Sequence, residues 1–261
     1  MNVLNEEMLV LFSLILMRMS GCVFLNPFFR RSEVPSMVKA GIAFLLTLIL
    51  VSSTPQEIPV MENSLVFGST LLQEFAVGAV LGFLMELFLS IMSMAGALID
   101  FQMGLSMATV YDAGTSSQSA LSGTLLYLYM GLSFFAVDGH LALIKILADS
   151  GRILPYGAPV RWNGVSQAML TVFPECVLLA VKLSFPMIAI EFVTEMAVGI
   201  LMKVIPQINI FILSIQIKIV VGVLVFIFLI GPTGDMIGDI ITDMMNSLTE
   251  MIGIMVQGTG R

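Results

Sequence analysis

LVFGSTLLQEFAVGAVLGFLMELFLSIMSMAGALIDFQMGLSM, residues 65–107, is the stretch on which the architecture turns. It is apolar throughout and holds no proline and no Asn-Gly or Asp-Gly pair that would mark a reversal. It could supply two ordinary bilayer crossings of roughly 20 residues each, yet it has no turn where the chain would have to come back. Glu74, Gly78, Gly82 and Glu86 follow one another at four-residue spacing, so they share one slowly drifting face of a helix. Two glycines between two carboxylates admit a close neighbour. Ser93, Ala97, Asp100 and Gly104 carry the same face onward at sevens and fours. The expected element is one long helix with a small, polar seam. Its neighbour is a partner or another helix of the same bundle, and an ion pathway is the rival reading of its carboxylates.

Composition sets the surroundings of that helix. The chain has 261 residues, 58% hydrophobic and 11% charged, with a mean hydropathy of +1.02. Soluble domains carry about 25% charged residues, so this chain cannot cover its own surface with water-facing groups. Lipid or partner subunits must form its surroundings. The net charge of −7 excludes a basic nucleic-acid footprint. Cys22 and Cys176 sit in apolar runs and read as small hydrophobes. His140 is the sole histidine, which excludes a His-based metal cluster or triad built from this chain alone. No catalytic, metal or cofactor site is predicted. The acidic start Asn5-Glu6-Glu7 and the absence of a small-residue cleavage site argue against a removable signal peptide.

Further apolar blocks cover Met8 to Phe24, Val38 to Val51, Leu121 to Leu147, and Val165 to Ile230. The second is shorter than the roughly 20 residues a helical crossing needs. The last is punctured by Pro174, Pro186 and Pro206. Breakers fall at Asn26-Pro27, at Thr54-Pro55 with Pro59, at Tyr111 to Ser119, and at Pro155 to Asn163. No alternation of period two persists, so the fold class is all-α, built of hydrophobic helical hairpins with broken helices and associated with a membrane. Arg30, Arg31 and Lys39 lie in one loop and Lys145, Arg152 and Arg161 near another. Keeping both inside needs residues 65–107 to cross twice, which strains a six-span topology and leaves open a hairpin that never crosses lipid.

Arg18, Glu74, Glu86, Asp100, Glu175, Lys182, Glu191, Glu195, Lys203 and Lys218 lie in or at the edge of apolar blocks. Each costs roughly 2.5–3.5 kcal/mol at the centre of a lipid-facing helix, so they are expected to face a bundle, a pore or a partner. Glu74, Glu86, Glu191, Glu195, Lys203 and Lys218 are expected to form pairs within or between chains, and charge reversal there to block assembly. The segment Tyr111-Asp112-Ala113-Gly114-Thr115-Ser116-Ser117-Gln118-Ser119 is small and polar between apolar helices. It reads as an exposed turn or as backbone lining a cavity. From Met236 to Val256 an apolar stripe opposes Asp235, Asp239, Asp243 and Glu250. A membrane-surface helix is usually basic on its polar face, so this acidic one is expected to dock on protein.

At Gly199-Ile-Leu-Met-Lys203-Val-Ile-Pro206-Gln207-Ile-Asn209-Ile-Phe211 the chain resembles the G-x-x-x-R-x-x-P-Q-x-N-x-F signature of the FliR family of type III export-gate subunits. Arg18 followed by Asn26-Pro27 and Val34-Pro35 is similar to that family's N-terminal pattern. So is the run from Glu74 through Gly82, Ala95-Gly96, Asp100, Gln102 and Gly104 to Asp112, with Gly139-His140 and Pro186 also in place. The resemblance covers about Met8 to Met245. Lys203 replaces the usual Arg and loses its planar fork, Ala113 replaces a Pro, and Gln216-Ile217-Lys218 replaces P-L-K.

The resemblance implies a subunit that joins FliP-like and FliQ-like proteins in a hetero-oligomeric helical ring, with an FlhB-like switch protein as a further partner. It implies a FliP-like part over about 1–164 and a FliQ-like hairpin with the amphipathic C-terminal helix over 165–261. Unfolded flagellar proteins would pass through the centre, with residues 111–119 as a plug, in the bacterial inner membrane at the flagellar basal body. Energy would come from the proton gradient and a separate ATPase, since this chain has no phosphate-binding loop. Rival readings are a virulence-system counterpart, an ion-coupled small-solute transporter, and an intramembrane enzyme using Asp100 and Asp112.

Overall fold

A computed structural model describes residues 2–30, 34–53, 63–105, 120–204 and 210–256, and the secondary structure among them is helical. The helices are α1 (Asn2–Leu25), α2 (Pro27–Arg30), α3 (Ser36–Ser53), α4 (Ser64–Met103), α5 (Leu121–Ala136), α6 (Gly139–Ile153), α7 (Trp162–Val204) and α8 (Ile210–Val256). The all-α expectation holds. The stretch that opened the sequence reading is one unbroken helix, α4, so its two-crossing alternative falls away. α4 stops at Gly104, whose φ of +78° is the left-handed value that ends helices. There Gly104 N–H donates to the Phe101 carbonyl at 3.2 Å and Leu105 N–H to the Asp100 carbonyl at 3.0 Å.

Three other sequence boundaries move. Residues 121–147 read as one block, but the chain breaks between α5 and α6 at Asp138, whose φ is 57°. Aspartate tolerates that conformation better than most residues. Pro174 and Pro186 do not puncture the fifth block: both lie inside α7, and Pro232 lies inside α8. Each proline removes one backbone bond, a loss that apolar helices absorb through neighbouring groups and local readjustment. The amphipathic tail is therefore the C-terminal part of α8 rather than a helix of its own. Conversely, Asn26-Pro27 starts a helix. Asn26 Oδ1 accepts the Phe28 N–H at 3.0 Å, and proline takes the first helical position.

Among the described residues, four helices are long and apolar enough to cross a membrane: Met8–Leu25, Ser64–Met103, Trp162–Leu201 and Leu213–Val256. α5 and α6 meet the same criterion only when taken together. At about 1.5 Å per residue, the 40, 43 and 47 residues of α4, α7 and α8 make helices roughly twice the ~30 Å hydrocarbon thickness. Each must carry part of its length outside hydrocarbon or inside a protein assembly.

The chain forms two compact units. The first comprises Met1–Phe88, Asp138–Val172 and Thr242–Arg261; the second comprises Leu89–Val137 and Phe173–Ile241. In the first, Leu14, Ile15, Met19, Leu81, Leu84 and Met85 are fully buried, and the Phe12 and Phe44 rings meet edge to face at 5.6 Å. Met244, Leu248, Met251, Ile252 and Met255 of α8 are also buried there, while Asp243 and Glu250 are exposed. The Met255 carbonyl accepts the Arg161 N–H at 3.3 Å. In the second, Ile91, Met92, Met130, Phe134, Ala180 and Ile237 form the core. The stripe read from Met236 to Val256 is thus the inward face of α8, and its acidic side points outward.

Candidate functional site

In the first unit the glycine seam of α4 receives α1 of the same chain. A Cβ on Gly78 would overlap the Arg18 carbonyl and lie 2.8 Å from the Cys22 nitrogen. On Gly82 it would lie 2.8 Å from the Cys22 carbonyl, and on Gly21 it would overlap the Phe75 carbonyl. Every group nearer than 3.0 Å is backbone, so the two helices touch main chain to main chain. The spacing of Gly78 and Gly82 was legible in α4; the answering Gly21 in α1 was not.

That close crossing brings Arg18 against Glu74. Both are buried, at 0% and 1% exposure, with Arg18 Nε donating to Glu74 Oε2 at 2.6 Å. Arg18 Nη1 donates to the carbonyls of Ser150 (3.2 Å) and Leu154 (3.1 Å) at the end of α6. Glu74 Oε1 accepts the Gly157 N–H at 2.8 Å, and the guanidinium carbon lies 4.2 Å from the Tyr156 ring centre. Tyr156 fits because residue 151 is glycine; a Cβ there would press on its ring at 2.7 Å. Burial pushes the Tyr156 hydroxyl above its ordinary pKa, opposed by the Arg18 charge and reinforced by that of Glu74. Gln73 extends the contact, donating to the Ala158 carbonyl at 2.6 Å. One ionic cluster thus fastens α1, α4, the end of α6 and the 154–158 turn. Ser150, Gly151, Tyr156 and Gly157 were invisible as members in sequence, since no spacing links them to Arg18.

In the second unit α4 meets α5 in the same manner. A Cβ on Gly96 would overlap the Gly123 backbone. Four residues on, the buried Asp100 carboxylate accepts the Ser122 N–H with both oxygens, at 3.2 and 3.3 Å. The residue before α5 is Ala120, which has no side-chain acceptor, so a carboxylate from another helix caps the N-terminus that alanine leaves open. Asp100→Ala is expected to lower stability by about 1–2 kcal/mol, and Asp100→Asn by less because it keeps one acceptor. Thermal unfolding of the purified variants checks this. Gly104 closes α4 by its φ rather than by packing, because a Cβ there meets nothing within 4 Å.

Also in the second unit, Glu191 of α7 is fully buried, and Lys218 Nζ of α8 lies 3.3 Å from Glu195 Oε2. The remaining predicted charges are less enclosed. Glu86 and Gln102 are half-buried, and Glu195, Lys203, Glu175 and Lys182 are exposed on this chain. The exposed four stand on outward faces of α7. Lys203 sits in the last turn of α7, where its charge suits the helix C-terminus. Gly199 has open space around it, and Phe211 lies in the first turn of α8. Tyr111 to Ser119, Pro206, Gln207 and Asn209 lie outside the described residues.

The family model for bacterial export proteins, family 1, matches residues 9–244, and relatives named flagellar biosynthetic protein FliR match along most of their length. The chain belongs to the FliR family. The Pectobacterium carotovorum relative is 30% identical over 85% of this chain and 88% of its own. The Bacillus subtilis relative is 26% identical over 93% and 96%, and that of Escherichia coli K12 26% over 91% and 90%. The resemblance read from the sequence is therefore confirmed. Family and long apolar helices together make the chain a membrane protein.

Proposed function

We propose that this chain is a non-enzymatic subunit of the flagellar type III protein export gate. It assembles with FliP-like and FliQ-like subunits into the channel through which unfolded flagellar proteins leave the cell. The observation that carries the reading is the match to FliR proteins over nine-tenths of both chains. The site chemistry is consistent with it. Glycine crossings and a buried ion pair make a rigid scaffold, while Leu132, Leu170, Phe185, Val193 and Phe228 are left exposed for lipid or neighbouring subunits. In this reading residues 1–164 are FliP-like and 165–261 FliQ-like, and residues 111–119 plug the closed channel. An FlhB-like switch protein contacts the assembly, which sits at the basal body in the inner membrane. The proton gradient and a separate ATPase supply the energy.

The test is native mass spectrometry of the chain purified in mild detergent after co-expression with its FliP- and FliQ-like neighbours. A discrete complex of fixed stoichiometry is the expected result. A free monomer or homodimer would overturn the gate reading and favour a solute transporter.

A further inference from the structure

Glu191 is the one buried carboxylate among the described residues for which the fold supplies no hydrogen-bond donor. The Arg18 guanidinium and the Gly157 N–H serve Glu74, and the Ser122 N–H serves Asp100. Glu191 is 0% exposed, and both its oxygens lack a donor. It points from α7 toward α8 at Gly222, where a Cβ would stand 2.9 Å from Oε1. The end of α4 brings the Met103 side chain to the same spot, so the third element packed there is apolar. The charged groups nearest it along the two facing helices are Glu195, one turn further along α7, and Lys218, one turn before Gly222 on α8. Lys218 is only 14% exposed, yet its ammonium rests on the more exposed Glu195, at 3.3 Å. The cation is thus in direct contact with the carboxylate that water can reach, and the carboxylate that water cannot reach has no direct ion pair.

An ionised carboxylate in this position would carry a large desolvation penalty with no donor to offset it, and such groups neutralise instead. We infer that Glu191 is a proton-binding site: it holds a proton while Lys218 is paired with Glu195, and passes it to the water-facing Glu195 carboxylate, one turn along α7, when Lys218 swings to Glu191. The exchange balances. Glu191 gains one negative charge as the proton leaves, Lys218 keeps its charge throughout, and Glu195 trades the ammonium for the proton, which it yields to the water it faces. Gly222 leaves room for this on α8, since a larger residue would occupy the volume beside Oε1. The α7–α8 hairpin therefore has two charge arrangements whose balance is set by one proton.

The test is infrared spectroscopy of the full-length chain in mild detergent at neutral pH, read at the carbonyl band of a protonated carboxylic acid. Wild type is expected to show this band and Glu191→Gln, which is isosteric and keeps the fold, to lose it. Lys218→Met should retain the band, because it removes the cation that stabilises the charged form. Glu195→Gln should weaken or abolish it, because Lys218 then has only Glu191 to pair with. Circular dichroism and gel filtration matching wild type establish that the variants are folded. A wild-type spectrum without the band, or a band unchanged in Glu191→Gln, overturns the proton site. A band unaffected by Glu195→Gln overturns the lysine exchange.

Discussion

Glu74→Ala is expected to destabilise the folded chain by about 3–5 kcal/mol, the cost of leaving one member of a buried ion pair uncompensated. The magnitude sits at the high end because Arg18 and Glu74 are both essentially inaccessible, at 0% and 1%. The substitution strips Arg18 of its counter-ion and the Gly157 N–H of its acceptor at once. A double variant, Arg18→Met with Glu74→Leu, should recover part of the loss, since apolar replacement of a buried pair is often neutral or better. Recovery will be incomplete because the Leu154 carbonyl loses the Arg18 donor and the Gly157 N–H loses its acceptor. Thermal unfolding in detergent distinguishes the cases. If Glu74→Ala melts with wild type, the cluster does not fasten the first unit.

Gly78→Val should be comparably damaging. Overpacking a core usually costs about 1–3 kcal/mol because side chains can give way, but here the valine Cβ would coincide with main chain of α1. Backbone at a helix crossing cannot rotate aside; α1 must move off α4, taking the Arg18–Glu74 contact with it. A loss at or beyond the top of that range is expected, with poor recovery of folded protein after extraction. Gly238→Ala supplies the contrast. A Cβ there meets nothing within 4 Å, so removing glycine from the interior of α8 should stabilise by about 0.5–1 kcal/mol. Equal behaviour of the two variants would show that Gly78 is not held by contact.

These two sites also show how far sequence reading reaches. The i, i+4 spacing of Glu74, Gly78, Gly82 and Glu86 announced a face of α4 made for close approach, because helical periodicity is local and survives in a one-dimensional string. What approaches could not be read there. Gly21, Ser150, Tyr156 and Gly157 lie far along the chain from Glu74, and nothing in their spacing records their meeting. Proline marked a boundary correctly as a local propensity at Asn26-Pro27, but as a helix start. At Pro174, Pro186 and Pro232 the surrounding apolar helix overrode it. The break that does interrupt residues 121–147 came instead at Asp138-Gly139, an Asp-Gly turn signal that the apolar run around it masked.

The sequence by itself determined that this is an all-α membrane protein, its family, and which faces of α4 and α8 are small, apolar or acidic. Those properties follow from composition, local periodicity and motif. Only the tertiary structure decided which charges are buried and which are served. Asp100 caps α5, Glu74 holds Arg18, Glu195 takes Lys218, and Glu191 is enclosed without a donor. The physical reason is that the state of a carboxylate depends on desolvation and on donors within about 3 Å. Those are set by side chains that helix packing, not chain order, brings together.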